Sequence, residues 1–258
     1  NKTDDTFLRI ATSPARKVSM QKHFLEFVFT QEPLRQDASV VNAVPDRVML
    51  TAGDHVFLRS EDESAQRLTG QLVSYRSLGE IYHPLTGESV GHLSELTGLV
   101  GIQKMEKSGV AKGLVLQSTL ELERGQFATS VEGAPLFQLL RVATKLDVRG
   151  HIVHSEHNAT SLNGTGDYIF VDKGQDDGLE RGNALRVFAA QTDSINADDA
   201  LTHQSVTGVI QIVDAQATSS TCVVIKSRVS IATGSMFETI MIPKIDKRGF
   251  LDASKTNQ

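Results

Sequence analysis

Val115-Leu-Gln-Ser118-Thr-Leu120-Glu-Leu122-Glu-Arg-Gly125 and Val224-Ile-Lys-Ser227-Arg-Val229-Ser-Ile231-Ala-Thr-Gly234 align without a gap, each residue of the first having its counterpart 109 positions further on. Leu120 and Leu122 alternate with polar neighbours, as Val229 and Ile231 do. A period of two with one apolar face is the pattern of a half-buried strand. Each stretch ends in a glycine that opens a further apolar run, at Phe127 and at Met236-Phe237. Upstream, Val90-Gly91-His-Leu93 and Thr207-Gly208-Val-Ile210 read as another strand in each copy.

The turn in these stretches belongs to a phrase that occurs four times: an aliphatic residue, two spacers, Gly, then a small or polar residue. Its copies are Leu50 to Gly53-Asp54, Leu122 to Gly125-Gln126, Leu179 to Gly182-Asn183 and Ile231 to Gly234-Ser235. Glycine supplies the positive φ that a tight turn needs, and the aliphatic residue is the buried one. The copies fall into two pairs, one pair per module. Gly174, Asp177 and Gly178 form a further turn before the third copy, Asp177-Gly178 being of hairpin type, and Pro84-Leu-Thr-Gly87 is another.

The chain therefore reads as all-β, with two related small modules, barrel-like or sandwich-like, in tandem behind an N-terminal arm. The first module is expected over residues 44–130 and the second over 150–242. A connector spans 131–149, and a polar tail spans 243–258. Residues 1–43 lie outside the repeat. Ser13-Pro14 suits a helix start, and Phe24 to Phe29 also reads as a strand. Phe24, Leu25, Phe27 and Phe29 are too apolar for an idle tail, which makes them a candidate partner-binding arm. Small β modules with open strand edges carry unpaired backbone groups that a neighbour's strand can meet.

Composition bounds the function. With 258 residues, 40% hydrophobic and 22% charged, the chain has the means to bury a core. Its net charge of −5, with scattered basic residues, opposes a phosphate-binding stripe, so no nucleic acid is expected. The single cysteine, Cys222, excludes an internal disulfide and sits in an apolar run suited to burial. No run approaches the length of a membrane-spanning helix.

His151, His154 and His157 are spaced by three, but on a strand His154 points away from the other two, so no metal site is expected. The acidic run Asp172 to Asn183 lacks the glycine at position six and the bidentate glutamate at position twelve of a calcium loop. Asn158-Ala-Thr160 and Asn163-Gly-Thr165 have sequon form. No nucleophile elbow, phosphate loop, dinucleotide fingerprint or His-Glu-x-x-His is present, and Trp is absent. The expectation is a non-enzymatic protein without a cofactor.

The run Gly166-Asp-Tyr-Ile-Phe-Val171-Asp-Lys-Gly174-Gln-Asp-Asp177-Gly178-Leu-Glu-Arg-Gly182-Asn-Ala-Leu185 resembles the C-terminal region of LysM-linked, secretin-associated envelope proteins of the TsaP type. Asp46 to Phe57, Pro84 to Gly91 and Ser118 to Gly125 follow the same order of strands and turns, so the resemblance covers roughly residues 44–237. It implies a periplasmic, outer-membrane-associated accessory protein that clasps the secretin of a type IV pilus machine, many copies around one ring. In that family an N-terminal LysM module ties the assembly to peptidoglycan; residues 1–43 show no such motif. Two other readings are a ring component of a flagellar outer-membrane collar and a peptidoglycan-binding or hydrolase-associated module.

Overall fold

Short apolar runs rich in β-branched and aromatic residues, such as Val56-Phe-Leu58 and Ile210-Gln-Ile-Val213, leave little that could form a helix, and the computed structural model is built of strands. It describes residues 22–44, 49–60, 68–106, 109–131, 134–144, 146–157, 163–189 and 206–241. No helix among them is long and apolar enough to cross a membrane. Contacts divide the chain into a unit of residues 20–138 and a unit containing 139–258.

The first unit holds β1 (His23–Phe24), β2 (Phe27–Thr30), β3 (Ala38–Val44), β4 (Met49–Leu50), β5 (His55–Ser60), β6 (Gln71–Tyr82), β7 (Ser89–Met105), β8 (Val110–Ser118), β9 (Leu122–Glu123), β10 (Phe127–Val131) and β11 (Leu136–Phe137). Six of these close on themselves in the order β7-β6-β10-β3-β5-β8, because β8 pairs back onto β7. Val40, Val56, Leu58, Leu72, Val100, Val115 and Leu122 fill the interior. The second unit holds β12 (Arg149–Ser155), β13 (Tyr168–Val171), β14 (Ala184–Phe188), β15 (Val206–Ala215), β16 (Ser220–Ser227) and β17 (Met236–Thr239). They close as β12-β13-β16-β15-β14-β17 around Ile152, Ile169, Leu179, Leu185, Ile210, Ile212 and Phe237. Both barrels are antiparallel throughout. The fold is all-β, two small β modules in tandem.

The repeated glycine phrase is a clamp. Its glycine N–H donates to a carbonyl in the middle of a strand, and the same strand residue donates back to the carbonyl after the glycine. Gly53-Asp54 grips Val115 in this way (2.8 and 2.9 Å), and Gly125-Gln126 grips Val40 (2.8 and 2.9 Å). In the second barrel Gly166-Asp167 grips Val224 (2.9 and 3.0 Å), Gly234-Ser235 grips Ile152 (2.8 and 2.9 Å) and Gly182-Asn183 grips Ile212 (2.8 and 3.0 Å). All five glycines have φ between 84 and 101°. That left-handed backbone lets the chain turn from one stave of the barrel to the next while both amide groups stay bonded.

These clamps fix which residues correspond. Val115 and Val224 are equivalent, and so are Gly125 and Gly234. Ser118 pairs with Gly98, and Ser227 pairs with Gly208. Gly98 is therefore the counterpart of Gly208, replacing the expected Gly91; each leaves room for the same neighbour, Leu122 in one barrel and Ile231 in the other. Gly53 likewise corresponds to Gly166 and not to Gly182. The Gly166 clamp escapes a search of the sequence because Asn163 stands where Leu50, Leu122, Leu179 and Ile231 supply a buried aliphatic residue. Asn163 is as buried as they are, its amide donating to Ser155 Oγ and to the Ile231 carbonyl.

The expected module boundaries need correction. The first barrel begins well before residue 44, since β3 is one of its staves and β2 pairs with β7. The 131–149 connector is divided between the units: β11 pairs with β1, whereas residues 139–144 form a strap on the second barrel. Val142 N donates to the Gly182 carbonyl, Gln211 Nε2 donates to the Leu140 carbonyl, Asn183 Nδ2 donates to the Val142 carbonyl, and Thr144 bridges Met241. The Ser13-Pro14 helix start, the Asn158 sequon and the polar tail lie outside the described residues.

Candidate protein-interaction surface

Closure removes most of the open edges expected of small β modules, but the β6–β7 hairpin runs beyond it. On β6, pairing with β10 runs from Gln71 to Tyr75 and goes no further. On β7, pairing with β8 begins at Gly98. The β6–β7 hairpin continues past both, with Arg76 to Tyr82 paired only to β7 among the described residues. The other side of β7 is covered there by β2, Phe27 opposite Glu95 and Phe29 opposite Leu93. A three-stranded ribbon, β2-β7-β6, thus leaves the barrel wall with β7 covered on both sides, and the outer edge of β6 pairs with no further strand among the described residues.

This ribbon overturns the reading of Phe24, Leu25, Phe27 and Phe29 as a partner-binding arm. All four are buried, Phe29 completely. Phe24 packs with Val73, Tyr75, Leu96 and Leu99 on the outer wall of the first barrel. They are too apolar for a tail because they are core, and β2 buries Phe27 and Phe29 while Val28 between them is half-buried. Gly91 (φ 142°) permits the close approach: a Cβ there would lie 2.6 Å from the Thr30 carbonyl oxygen.

The exposed large apolar side chains of the hairpin are Leu78 (46% exposed), Tyr82 (56%) and Leu85 (65%). Glu80 lies between them and accepts hydrogen bonds from Ser89 Oγ and Tyr82 Oη, which hold its carboxyl below the ordinary value. The tip is fixed by His83, whose Nδ1 accepts from the backbone N–H groups of Leu85 (3.2 Å) and Thr86 (3.3 Å). A Glu88 carbonyl accepting from His83 N closes the turn. The hairpin is therefore a preorganised projection with three apolar side chains in solvent. Its edge is also guarded, since register shifts at Ser77/Gly79 and Ile81/Tyr82 interrupt the ladder, a common device against indiscriminate strand pairing.

The other sequence candidates are structural. Asp54 Oδ2 accepts from Thr51 N, and Asp167 Oδ2 accepts from Gly164 N, so the residue after each of these glycines also ties its turn. Gly174 is extended, not left-handed; a Cβ would lie 2.3 Å from the Gln216 carbonyl oxygen, so close backbone approach demands glycine there. Asp177 Oδ2 accepts from Gly174 N, and Gly178 (φ 85°) makes room for Leu146, which follows the strap. Cys222 is buried, which pushes its thiol far up and leaves it inert.

The three histidines do not converge. His151 faces Asp172 (3.8 Å), His154 lies against the Phe170 ring with its pKa lowered by burial, and His157 pairs with Asp167 (3.6 Å). His157 does share a neighbourhood with Glu156 and Asp167, their potential ligand atoms lying within 4.8 Å of one another. One oxygen of each carboxylate there is already occupied by a backbone N–H, from Tyr168 and from Gly164.

No protein-family model matches the chain, and no curated protein matches it.

Proposed function

We propose that this chain is a non-enzymatic accessory protein of the periplasm, associated with the outer membrane, that binds the secretin of a type IV pilus machine and helps anchor it to the cell wall. The observation that carries this reading is the β6–β7 hairpin. It extends beyond a closed barrel, keeps a free strand edge and presents Leu78, Tyr82 and Leu85 to solvent. Apolar side chains on a rigid projection suit protein recognition, since little conformational entropy is lost when they dock. A secretin is a closed ring, so many copies of one contact surround it and each contact can be weak while the assembly holds. Peptidoglycan attachment in this reading comes from a LysM module of the kind that the resembling family carries.

The test is affinity capture of the full chain from envelopes, comparing wild type with a Leu78→Lys, Leu85→Lys double variant. Both positions are exposed, so the variant's fold and melting temperature stay unchanged while recovery of the secretin falls by about tenfold or more. Equal recovery with both proteins would remove the hairpin from the interface, and recovery of a flagellar ring protein in place of a secretin would refute the assignment.

A further inference from the structure

The hairpin that leaves the first barrel carries acid without a compensating base. Beyond Arg76, which pairs with Glu95 at the root (3.5 Å), no lysine or arginine occurs until Lys104. Glu80 and Glu88 lie between, both exposed, and among the described residues no ion pair joins either of them to a base. Glu80 stands within the exposed apolar set, two residues after Leu78 and two before Tyr82, while Ile81 is buried on the opposite side of the strand. His92 faces it across the ladder. The carboxylate is held in place, because Ser89 Oγ donates to one oxygen and Tyr82 Oη to the other. A carboxylate oxygen accepts twice, so each keeps one site open for a further donor. The two hydrogen bonds, that from Ser89 foremost, favour the ionised form. When Leu78 and Tyr82 dock, Glu80 leaves water with them. A carboxylate buried without a partner is costly, so the docked surface has to supply a cation.

We infer that Glu80 receives an arginine set among apolar residues on the surface of the partner protein, with Leu78 and Tyr82 packing around the pair. This rests on the hairpin being the docking element of the proposed function. Arginine fits better than lysine, because a planar guanidinium meets both carboxylate oxygens at once. Glu88 lies in the exposed turn, where solvent screens it, and contributes long-range attraction to the same basic surface. The charges also argue against a lipid surface as the occupant. Tyr82 and Leu85 near a hairpin tip have the apolar character of a membrane anchor. Anionic headgroups, however, attract lysine and arginine, and here they would meet only Glu80 and Glu88.

The test is capture from envelopes with the full chain, the partner being the protein whose recovery depends on Leu78 and Leu85, whether or not it is a secretin. Glu80→Gln removes the charge and keeps hydrogen-bonding atoms for Ser89 and Tyr82, whose hydroxyls also accept, so the melting temperature stays unchanged. Recovery of the partner is expected to fall about tenfold for Glu80→Gln and less than about threefold for Glu88→Gln. Only the smaller loss should vanish in salt of about 0.5 M, because a desolvated pair is screened less than a rim charge. Equal recovery with wild type and Glu80→Gln overturns this inference and leaves the hairpin as the docking element. Equal losses for the two variants, both abolished by salt, overturn it in favour of diffuse attraction. A tenfold loss of a partner that is not a secretin upholds the role of Glu80 and overturns the secretin assignment. If no protein depends on Leu78 and Leu85, both fall. Flotation of the wild-type chain with phosphatidylglycerol vesicles, strengthened by Glu80→Gln, would overturn the inference in favour of lipid.

Discussion

Gly182 and Gly234 occupy equivalent clamps of one barrel, yet replacing each by alanine should have different costs, and the difference measures the strap. Both glycines are left-handed, with φ of 96° and 85°. Alanine at either site meets a backbone strain of about 1 kcal/mol. At Gly234 nothing lies within 4 Å of the added Cβ, so the strain is the whole effect. At Gly182 the Cβ would lie 2.5 Å from the Leu140 carbonyl oxygen and 2.6 Å from Val142 Cγ2, so the strap must lift. Lifting breaks the bonds from Val142 N to the Gly182 carbonyl, from Asn183 Nδ2 to the Val142 carbonyl and from Gln211 Nε2 to the Leu140 carbonyl. At about 1 kcal/mol net each, these add about 3 kcal/mol. Leu140 and Val142 are 46% and 39% exposed, so little apolar burial is lost with them. Urea unfolding, followed through the second-barrel transition, should give about 1 kcal/mol for Gly234→Ala and about 3–4 kcal/mol for Gly182→Ala. Equal costs would refute the role of the strap as an integral part of that barrel.

Three further outcomes follow from the same structure. Burial alone would raise the Asp37 carboxyl, but hydrogen bonds from Ser130 and the neighbouring Arg35 guanidinium outweigh it and hold the group below its ordinary value. The unfolded chain therefore binds the extra proton first, so Asp37 contributes stability above the ordinary carboxylate pKa that is lost as pH falls through and below it. Unfolding free energies of wild type and Asp37→Asn should converge on acidification, and a constant gap down to low pH would contradict this. Deleting residues 1–43 removes β1, β2 and nearly all of β3, including Val40, which the Gly125 clamp grips. The truncated chain should lose the first barrel's cooperative transition in thermal unfolding, whereas an unchanged melt would restore the arm reading. Melts with and without a chelator should coincide; a drop of several degrees would assign a metal to Glu156, His157 and Asp167.

The fold class and the duplication were legible in the chain, because period-two alternation and a glycine turn are local properties: Leu120, Leu122 and Gly125 announce a strand and a turn whatever they pack against, and a fixed offset to Val229, Ile231 and Gly234 announces a second copy. Barrel closure was not legible, since the pairing of β8 with β7 and of β17 with β12 joins residues by register, which alternation leaves open. The Gly166 clamp was hidden by Asn163, a polar residue in an aliphatic position that becomes intelligible only when Ser155 Oγ and the Ile231 carbonyl are seen to accept from its amide nitrogen. Phe24 to Phe29 carried their apolar character openly, but where that surface was buried depended on β2 finding the distal half of β7 and Phe24 finding Val73 and Tyr75. Among the described residues, the free edge of β6 and the strap over Gly182 are differences between two copies of one module. Sequence determined that the copies exist, and long-range packing decided which segment covers each of them, because a strand's partners lie far along the chain and are selected by the closure of the whole barrel.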